Sequence, residues 1–373
     1  MANLCDLNYT SLQTTEKNYL RLATIRAAND VVSNAIAKLS IFRHWDLCPN
    51  LLHASLDGQK FITEWDNIVA RHSQKYFGFD KGVVAYSLIA NHVPINTMII
   101  GANEHESRFF FDLIYNNTSE IQPDIFSTDT EGSNQLNFLL LHLIERLYAP
   151  RYRSLGDKSD SIICFSDPSR FKNCLIKPNK KLNEKLILSE EDNIQHIFAS
   201  LLMGETKQSN IITKLSSQQY ASRTKRALWE MNAVLMTDHI LNYISDLSFR
   251  QSIQGSLGRG EAYHQLRRHI EKVNGRHFRG TNETQIAIWN ESARLLANCV
   301  LYYNATMLNQ WMEQSDAKGE KEKSKYIKHL SPVAWTHVNF QGRYEFLSSH
   351  EEIDIDDWLD KILVSDSDFK NKK

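Results

Sequence analysis

The chain has 373 residues, enough for two or three average domains or for one domain with a large insertion. Hydrophobic residues make up 42% and charged residues 23%, an ordinary globular composition, and the net charge of −1 argues against a wholly basic nucleic-acid binder. The five cysteines are odd in number and form no C-x-x-C pair, which excludes a zinc or disulfide framework and suits a reducing cytosol.

Residues about 10–45 carry a helical pattern, with Tyr19, Leu22, Ile25, Val32, Ile36 and Leu39 recurring at three- and four-residue steps. Pro49 ends that region. From 50 to 102 the pattern is strand-like, with β-branched runs at Phe61-Ile62, Val83-Val84-Ala85-Tyr86 and Met98-Ile99-Ile100. The tract from Ala85 to Gly101 reads as two strands joined near Asn91–Pro94. A short helix is expected at about 105–116, followed by a strand ending in Asp129. Residues 135–147 form an amphipathic helix whose stripe is Leu136, Leu139, Leu140, Leu143, Ile144 and Leu147. The segment from Tyr148 to Arg153 reads as a short edge strand, because Pro150 is poorly suited to a central one.

Three strands, a helix, a strand, a helix, a strand and a much later helix match a ribonuclease-H-like α/β core, a mixed sheet flanked by helices. Between about 157 and 250 the strand signal disappears, which predicts a large, mostly helical insertion before the last core helix. The expected organisation is a helical lead-in at 1–48, a first core part at 49–156, the insertion at 157–250, and a last core part with C-terminal helices at 251–345. Residues 346–373 read as an acidic tail. A long helix is expected at about 283–313, and Asp316 to Lys325 reads as a solvated loop. No stretch approaches about 18 apolar residues, so no membrane span is expected, and the N-terminus lacks the basic and apolar regions of a signal peptide.

Three carboxylates stand out against this frame. Asp57 closes the apolar stretch Asn50-Leu-Leu-His-Ala-Ser-Leu-Asp57 and precedes Gly58; Asp129 closes Ile125-Phe-Ser-Thr-Asp129. Glu261 opens a helical segment after the turn-like Gly255-Ser-Leu-Gly-Arg-Gly260. Two Asp at strand ends and one Glu on a later helix suit two divalent cations and phosphoryl transfer. Spacing alone also fits a blander reading, since an Asp before Gly is commonly a turn residue and a Glu at a helix start favours the helix dipole.

His264, Gln265 and Arg268 follow Glu261 at i+3, i+4 and i+7, on the same expected face, with Arg268 either a phosphate contact or a surface ion pair. His264 and His269 are five apart, off the spacing of a helical zinc pair. The Gly255–Gly260 stretch is not a phosphate-binding loop, since no Gly-Lys-Ser/Thr follows; it reads as a flexible approach to Glu261. Basic residues cluster despite the neutral total: residues 151–185 hold nine Lys/Arg against four Asp/Glu, and 250–279 hold seven against two. Such clusters suit either a DNA groove or a solvated face. Trp229, Trp289, Trp311 and Trp335 are expected to pack in the core.

A set of blocks in fixed order then gives a more specific reading. They are Asp57-Gly-Gln-Lys-Phe61, Ala90-Asn-His-Val-Pro-Ile-Asn96, Asn103-Glu-His-Glu-Ser107, Ser127-Thr-Asp-Thr-Glu-Gly132 and Leu147-Tyr-Ala-Pro-Arg-Tyr-Arg153. Further on come Gly258-Arg-Gly-Glu-Ala-Tyr-His-Gln-Leu-Arg-Arg268, Glu291-Ser-Ala-Arg-Leu-Leu-Ala-Asn298, Tyr302-Tyr-Asn304, Leu330-Ser-Pro-Val-Ala-Trp335 and Gly342-Arg-Tyr344. Together they span roughly 10–347, and over that range the chain resembles the C-terminal DDE catalytic region of a Tn3-family transposase.

The resemblance implies catalytic and metal-binding roles for Asp57, Asp129 and Glu261, with two Mg2+ ions for which Mn2+ could substitute. It implies metal-dependent cleavage at transposon ends, transfer of the resulting 3′-OH into target DNA, and replicative transposition. DNA contacts are expected at Arg151, Arg153, Arg267 and Arg268, with self-association on DNA. The expected setting is the bacterial cytoplasm, with nucleoid association when acting. Two positions depart from the family pattern: Leu56 replaces a frequent small polar residue, and Glu131 stands where His or Ala is common. Family members also carry long N-terminal regions that bind transposon ends. Their lack here predicts a split, truncated or decayed copy and leaves open an alternative, a non-catalytic remnant that binds DNA or an intact transposase.

Overall fold

The computed structural model describes residues 4–129, 136–217 and 222–346. The chain enters through helices α1 (Tyr9–Tyr19), α2 (Leu22–Ala37) and α3 (Ser40–His44). The expected single helical region is thus broken at Leu20–Arg21 and at Lys38–Leu39. Strand β1 (His53–Thr63) follows, then β2 (Arg71–His72), the one-turn α4 (Gln74–Phe77), β3 (Lys81–Ala90) and β4 (Val93–Gly101). β3 and β4 are joined by Asn91 and His92, both at positive φ (44° and 73°). That is the backbone a two-residue hairpin of matching twist requires, and Asn is among the residues that tolerate it.

A 3-10 turn at Glu106–Arg108, α5 (Phe110–Tyr115), β5 (Ile125–Ser127), α6 (Asn137–Leu143) and β6 (Leu147–Tyr148) complete the central part. α6 stops short of its expected end: Glu145 takes a positive φ of 57° and Leu147 already pairs in β6. Beyond β6 come α7 (Gly156–Ser159), β7 (Ile163–Cys164), β8 (Lys180–Lys181), α8 (Glu184–Ser189), α9 (Glu191–Leu202), α10 (Gln208–Ser217) and α11 (Arg223–Ser245). This stretch is mainly helical, but β7 and β8 form a small parallel pair that the sequence pattern did not reveal. The last elements are α12 (Leu247–Ile270), β9 (His277–Phe278), α13 (Glu283–Ala317) and α14 (Lys321–Lys328). Most of the expected loop after Asp316 is therefore helical, leaving only Lys318–Glu320 as a connector. The acidic tail lies outside the described residues, apart from Phe346.

The main sheet runs in the order β4-β3-β1-β5-β6, with β3 antiparallel to β1 and β4, and with β5 and β6 parallel to β1 and β5. Such a mixed sheet flanked by helices is the ribonuclease-H-like α/β fold that the element order predicts. β6 is an edge strand, so Pro150 just beyond it costs no ladder bond; Ala149 and Arg151 still donate to Phe126 and Thr128 across the edge. On the edge of β1 away from β3, β5 pairs only with His53–Ser55 and β9 only with Ile62–Thr63. Among the described residues, 56–61 therefore face no strand on that side.

The largest apolar core gathers side chains of α2, α3, β1, β3, β4, α12 and α13, among them Ile36, Leu56, Leu88, Tyr263 and Leu301. A second core joins α6 to α9, α10 and α11 through Leu139, Leu140, Phe198 and Leu228. Trp229, Trp289, Trp311 and Trp335 all pack against these or smaller apolar clusters, as expected for helix-packing residues.

Candidate carboxylate cleft

Asp57 lies within β1, not at a strand end. It is the fifth of eleven residues, opposite Ser87 in the register, with Gly58 opposite Tyr86. The Asp-Gly pair makes no turn because the ladder to β3 continues on both sides of it. Alternate residues of β1 face α12: Gln59 Nε2 donates to the His264 carbonyl at 3.0 Å, and His264 Nδ1 lies 3.6 Å from Asp57 Oδ2. Asp129 stands where expected, two residues past β5 at the point where the chain leaves the sheet. Thr128, just before it, is fixed by a 2.7 Å hydrogen bond between its Oγ1 and the Tyr148 hydroxyl.

Glu261 does not open a helix. It sits past the middle of α12, which runs unbroken from Leu247 to Ile270 through Gly255, Gly258 and Gly260. Each interior glycine costs about 1 kcal/mol relative to alanine. Two features offset this. Asp246 caps the N-terminus by accepting from the Phe249 N–H at 3.0 Å. A buried stripe at Ile253, Ser256, Leu257, Gly260, Tyr263, His264 and Arg267 packs the helix against the sheet. Gly260 also sets the spacing, since a Cβ there would lie 3.1 Å from Ser55 Oγ. The close approach of helix to strand carries Glu261, the next residue, alongside β1.

Asp57, Asp129 and Glu261, distant in sequence, therefore line one cleft of about 680 Å³, together with Gln59, Lys60, Tyr76, Glu104, Glu106, His264 and Arg268. Among the described residues no three His, Cys, Asp or Glu side chains converge closely enough to ligate a single ion. The carboxylates share a cleft, and its oxygen-rich donor set fits a hard divalent cation. Electrostatics point the same way. Burial pushes the Asp57 carboxyl up to about 7; Glu106 adds to the rise, Asp129 and Glu261 contribute less, and the Gly58 N–H opposes it. That N–H donates to Asp57 Oδ1 at 2.8 Å. His264 gives no compensating charge. Burial, reinforced by Arg268 and Arg267, pushes it down to about 3, so the imidazole beside Asp57 is neutral.

The four expected DNA-contacting arginines separate. Arg268 is exposed and lines the cleft. Arg151 and Arg153 follow β6 and do not line it; Arg151 Nη1 donates to Gln254 Oε1 at 3.2 Å. Arg267 is overturned as a DNA contact. It is 1% exposed, bonds Glu271 at 2.8 Å and Asn290 at 3.0 Å, and lies 5.6 and 5.5 Å from the Phe61 and Phe278 ring centres. The sequence shows two adjacent arginines on a helix; only the helix phase tells which one faces the sheet. Gln265 is exposed and does not line the cleft, so the expected companion face reduces to His264 and Arg268. Glu131 lies outside the described residues.

Sequence reasoning assigned no role to Glu106, Gln59, Tyr86 or Arg259. Glu106 lies in the block Asn103–Ser107, which was itself the available signal. The buried Tyr86 hydroxyl, on the strand opposite Gly58, has no hydrogen-bond partner. Arg259 donates to Asn91 Oδ1 at 2.7 Å and to the Trp45 carbonyl, pinning α12 to the β3–β4 hairpin two residues before Glu261.

A family model described as the Tn3 transposase DDE domain matches residues 1–344. The transposase for transposon gamma-delta of Escherichia coli (strain K12) is 25% identical over 351 residues, 92% of this chain and 34% of that protein. The transposase for transposon Tn1546 of Enterococcus faecium is 27% identical over 339 residues, 88% of this chain and 34% of its own length. For the transposase for transposon Tn4556 of Streptomyces fradiae the values are 25% over 348 residues, 91% and 38%. The chain thus spans about a third of the length of the curated relatives it matches.

Proposed function

Because this chain belongs to the Tn3 transposase DDE-domain family, we propose that it is the catalytic part of a transposase, cleaving DNA at transposon ends and joining the freed 3′-OH to target DNA. Asp57, Asp129 and Glu261 are the catalytic carboxylates in this reading. The observation that carries it is their shared cleft: residues 57, 129 and 261 line it together, and the charges of Asp129 and Glu261 both act on Asp57. They would hold two Mg2+ ions, which supply Lewis-acid stabilisation of a phosphorus centre undergoing in-line displacement and activation of the attacking oxygen.

The protein's own contribution is placement. β1 fixes Asp57 rigidly through its ladder to β3, the end of β5 fixes Asp129, and α12, pinned by Arg259 and by the Gly260 approach, fixes Glu261. Neutral His264, 3.6 Å from Asp57 Oδ2, packs against the carboxyl without cancelling its charge. Arg268, two turns along α12 from Glu261, is placed to contact a DNA phosphate. The stretch from 157 to the α12 cap at Asp246, four residues short of the expected boundary at 250, is then an insertion between the last edge strand of the core and the Glu261 helix, with 1–48 a lead-in. Acting on DNA in this way, the chain would work in the bacterial cytoplasm, in contact with the nucleoid; no helix among the described residues is long and apolar enough to cross a membrane.

The test is metal-dependent nicking of a plasmid carrying transposon ends, with the N-terminal part of a relative supplied in trans. Asp57→Asn, Asp129→Asn and Glu261→Gln should each abolish nicking while leaving the circular dichroism spectrum unchanged. Wild-type cutting by any of them would remove that residue from the set. Absence of cutting by the folded wild-type chain would favour a binding remnant.

A further inference from the structure

Glu106 lies outside the proposed triad yet sits in the same cleft. It opens the 3-10 turn Glu106–Arg108, and its carboxylate rests against the backbone of β1 where Gly58 offers no side chain. A Cβ at Gly58 would collide with Glu106 Oε1 and Cδ and also with Val84 Cγ1 on the neighbouring strand. A side chain at 58 would therefore displace the Glu106 carboxylate from its place next to Asp57 and press on the buried Val84. The ammonium of Lys60 lies 3.6 Å from Glu106 Oε1 and 4.3 Å from the centre of the Tyr76 ring, which holds it there as a counter-cation.

A second observation comes from Gln59. Its side chain is only 8% exposed, its Nε2 is committed to the His264 carbonyl, and its Oε1 has no hydrogen-bond partner while the residue lines the cleft. A buried amide oxygen without a donor is costly, and a hard cation satisfies it.

We propose that Glu106 is a fourth carboxylate of the divalent-cation site, adding negative charge beside Asp57, and that Gly58 serves to admit it. This rests on reading the cleft as a divalent-cation site. Lys60 opposes the charge that Glu106 supplies, so the two residues should act on cation affinity with opposite sign.

Isothermal titration of the purified full chain with Mn2+ tests this without any DNA. Glu106→Gln should weaken Mn2+ binding about tenfold, which is about 1.4 kcal/mol, while the remote surface change Glu120→Gln leaves it within twofold. Lys60→Met should tighten binding several-fold, a direction that structural damage does not produce. Glu106→Gln and Lys60→Met both binding Mn2+ like wild type, with Asp57→Asn clearly weakened, would overturn the role of Glu106 alone. No Mn2+ binding by wild type, or unchanged binding by Asp57→Asn, would overturn the cation-site reading and this inference with it.

Discussion

The raised Asp57 carboxyl makes a stability prediction that needs no substrate. Its value moves from the ordinary 3.8 to about 7 in the folded chain, with burial as the largest cause and Glu106 next. A carboxyl raised on folding binds its proton more tightly when native. Below pH 3.8 both states are protonated and Asp57 is neutral with respect to stability. Between that pH and about 7 the unfolded chain releases the proton while the folded one retains it, so the cost of Asp57 grows; above about 7 the cost is complete. At roughly 1.4 kcal/mol per tenfold, a fully buried group would cost about 4 kcal/mol. The Asp57 side chain is 32% exposed, and solvent screening of that kind reduces the figure to about 1–2 kcal/mol.

Asp57→Asn keeps an oxygen for the Gly58 N–H and removes the charge. In EDTA, urea denaturation should therefore show the variant more stable than wild type by about 1–2 kcal/mol at pH 8, and by distinctly less at pH 5. Divalent metal should reverse the order, because wild type gains about 2.7 kcal/mol at a hundred times its dissociation constant and the variant loses that gain. A variant no more stable than wild type at pH 8 in EDTA would refute the account of Asp57 as a charge held at a cost for a cation.

Other expectations follow from the same cleft and its supports. Gly258→Ala should stabilise α12 by about 0.5–1 kcal/mol in thermal denaturation, because nothing lies within 4 Å of the added Cβ; a loss of nicking with no gain in stability would restore the flexible-approach reading of Gly255–Gly260. Arg267→Ala should cost about 3–5 kcal/mol in urea by leaving Glu271 buried without its cation, since both side chains are 1% exposed. A near-neutral result would mean that the ion pair forms differently. Arg268→Ala should leave stability within about 0.5 kcal/mol and reduce the salt dependence of DNA binding by about one phosphate contact. An unchanged salt slope, measured by fluorescence anisotropy, would remove Arg268 from the DNA surface.

What the sequence made legible divides along physical lines. β-branched runs and the turn expected near Asn91–Pro94 gave the β3–β4 hairpin, because strand propensity and turn chemistry are local. The order of strands and helices gave the sheet, because few topologies accommodate it. Local rules failed where tertiary packing outweighed them. An Asp-Gly pair became mid-strand because β3 pairs along the whole of β1. Three glycines within six residues became helix because the buried stripe of α12, not propensity, decides that segment. The Arg267–Arg268 pair shows the sharpest limit: identical side chains one residue apart, 100° apart on the helix, took opposite fates. The same limit explains Glu106. Its block was visible, but its role depends on the missing side chain at Gly58, 48 positions earlier. A carboxylate admitted by an absence leaves no local pattern, and its proximity to Asp57 exists only once β1 and the 105–108 turn are folded against each other. Residues of this kind, placed by what a distant neighbour lacks, are where a fold adds chemistry that its sequence motifs do not display.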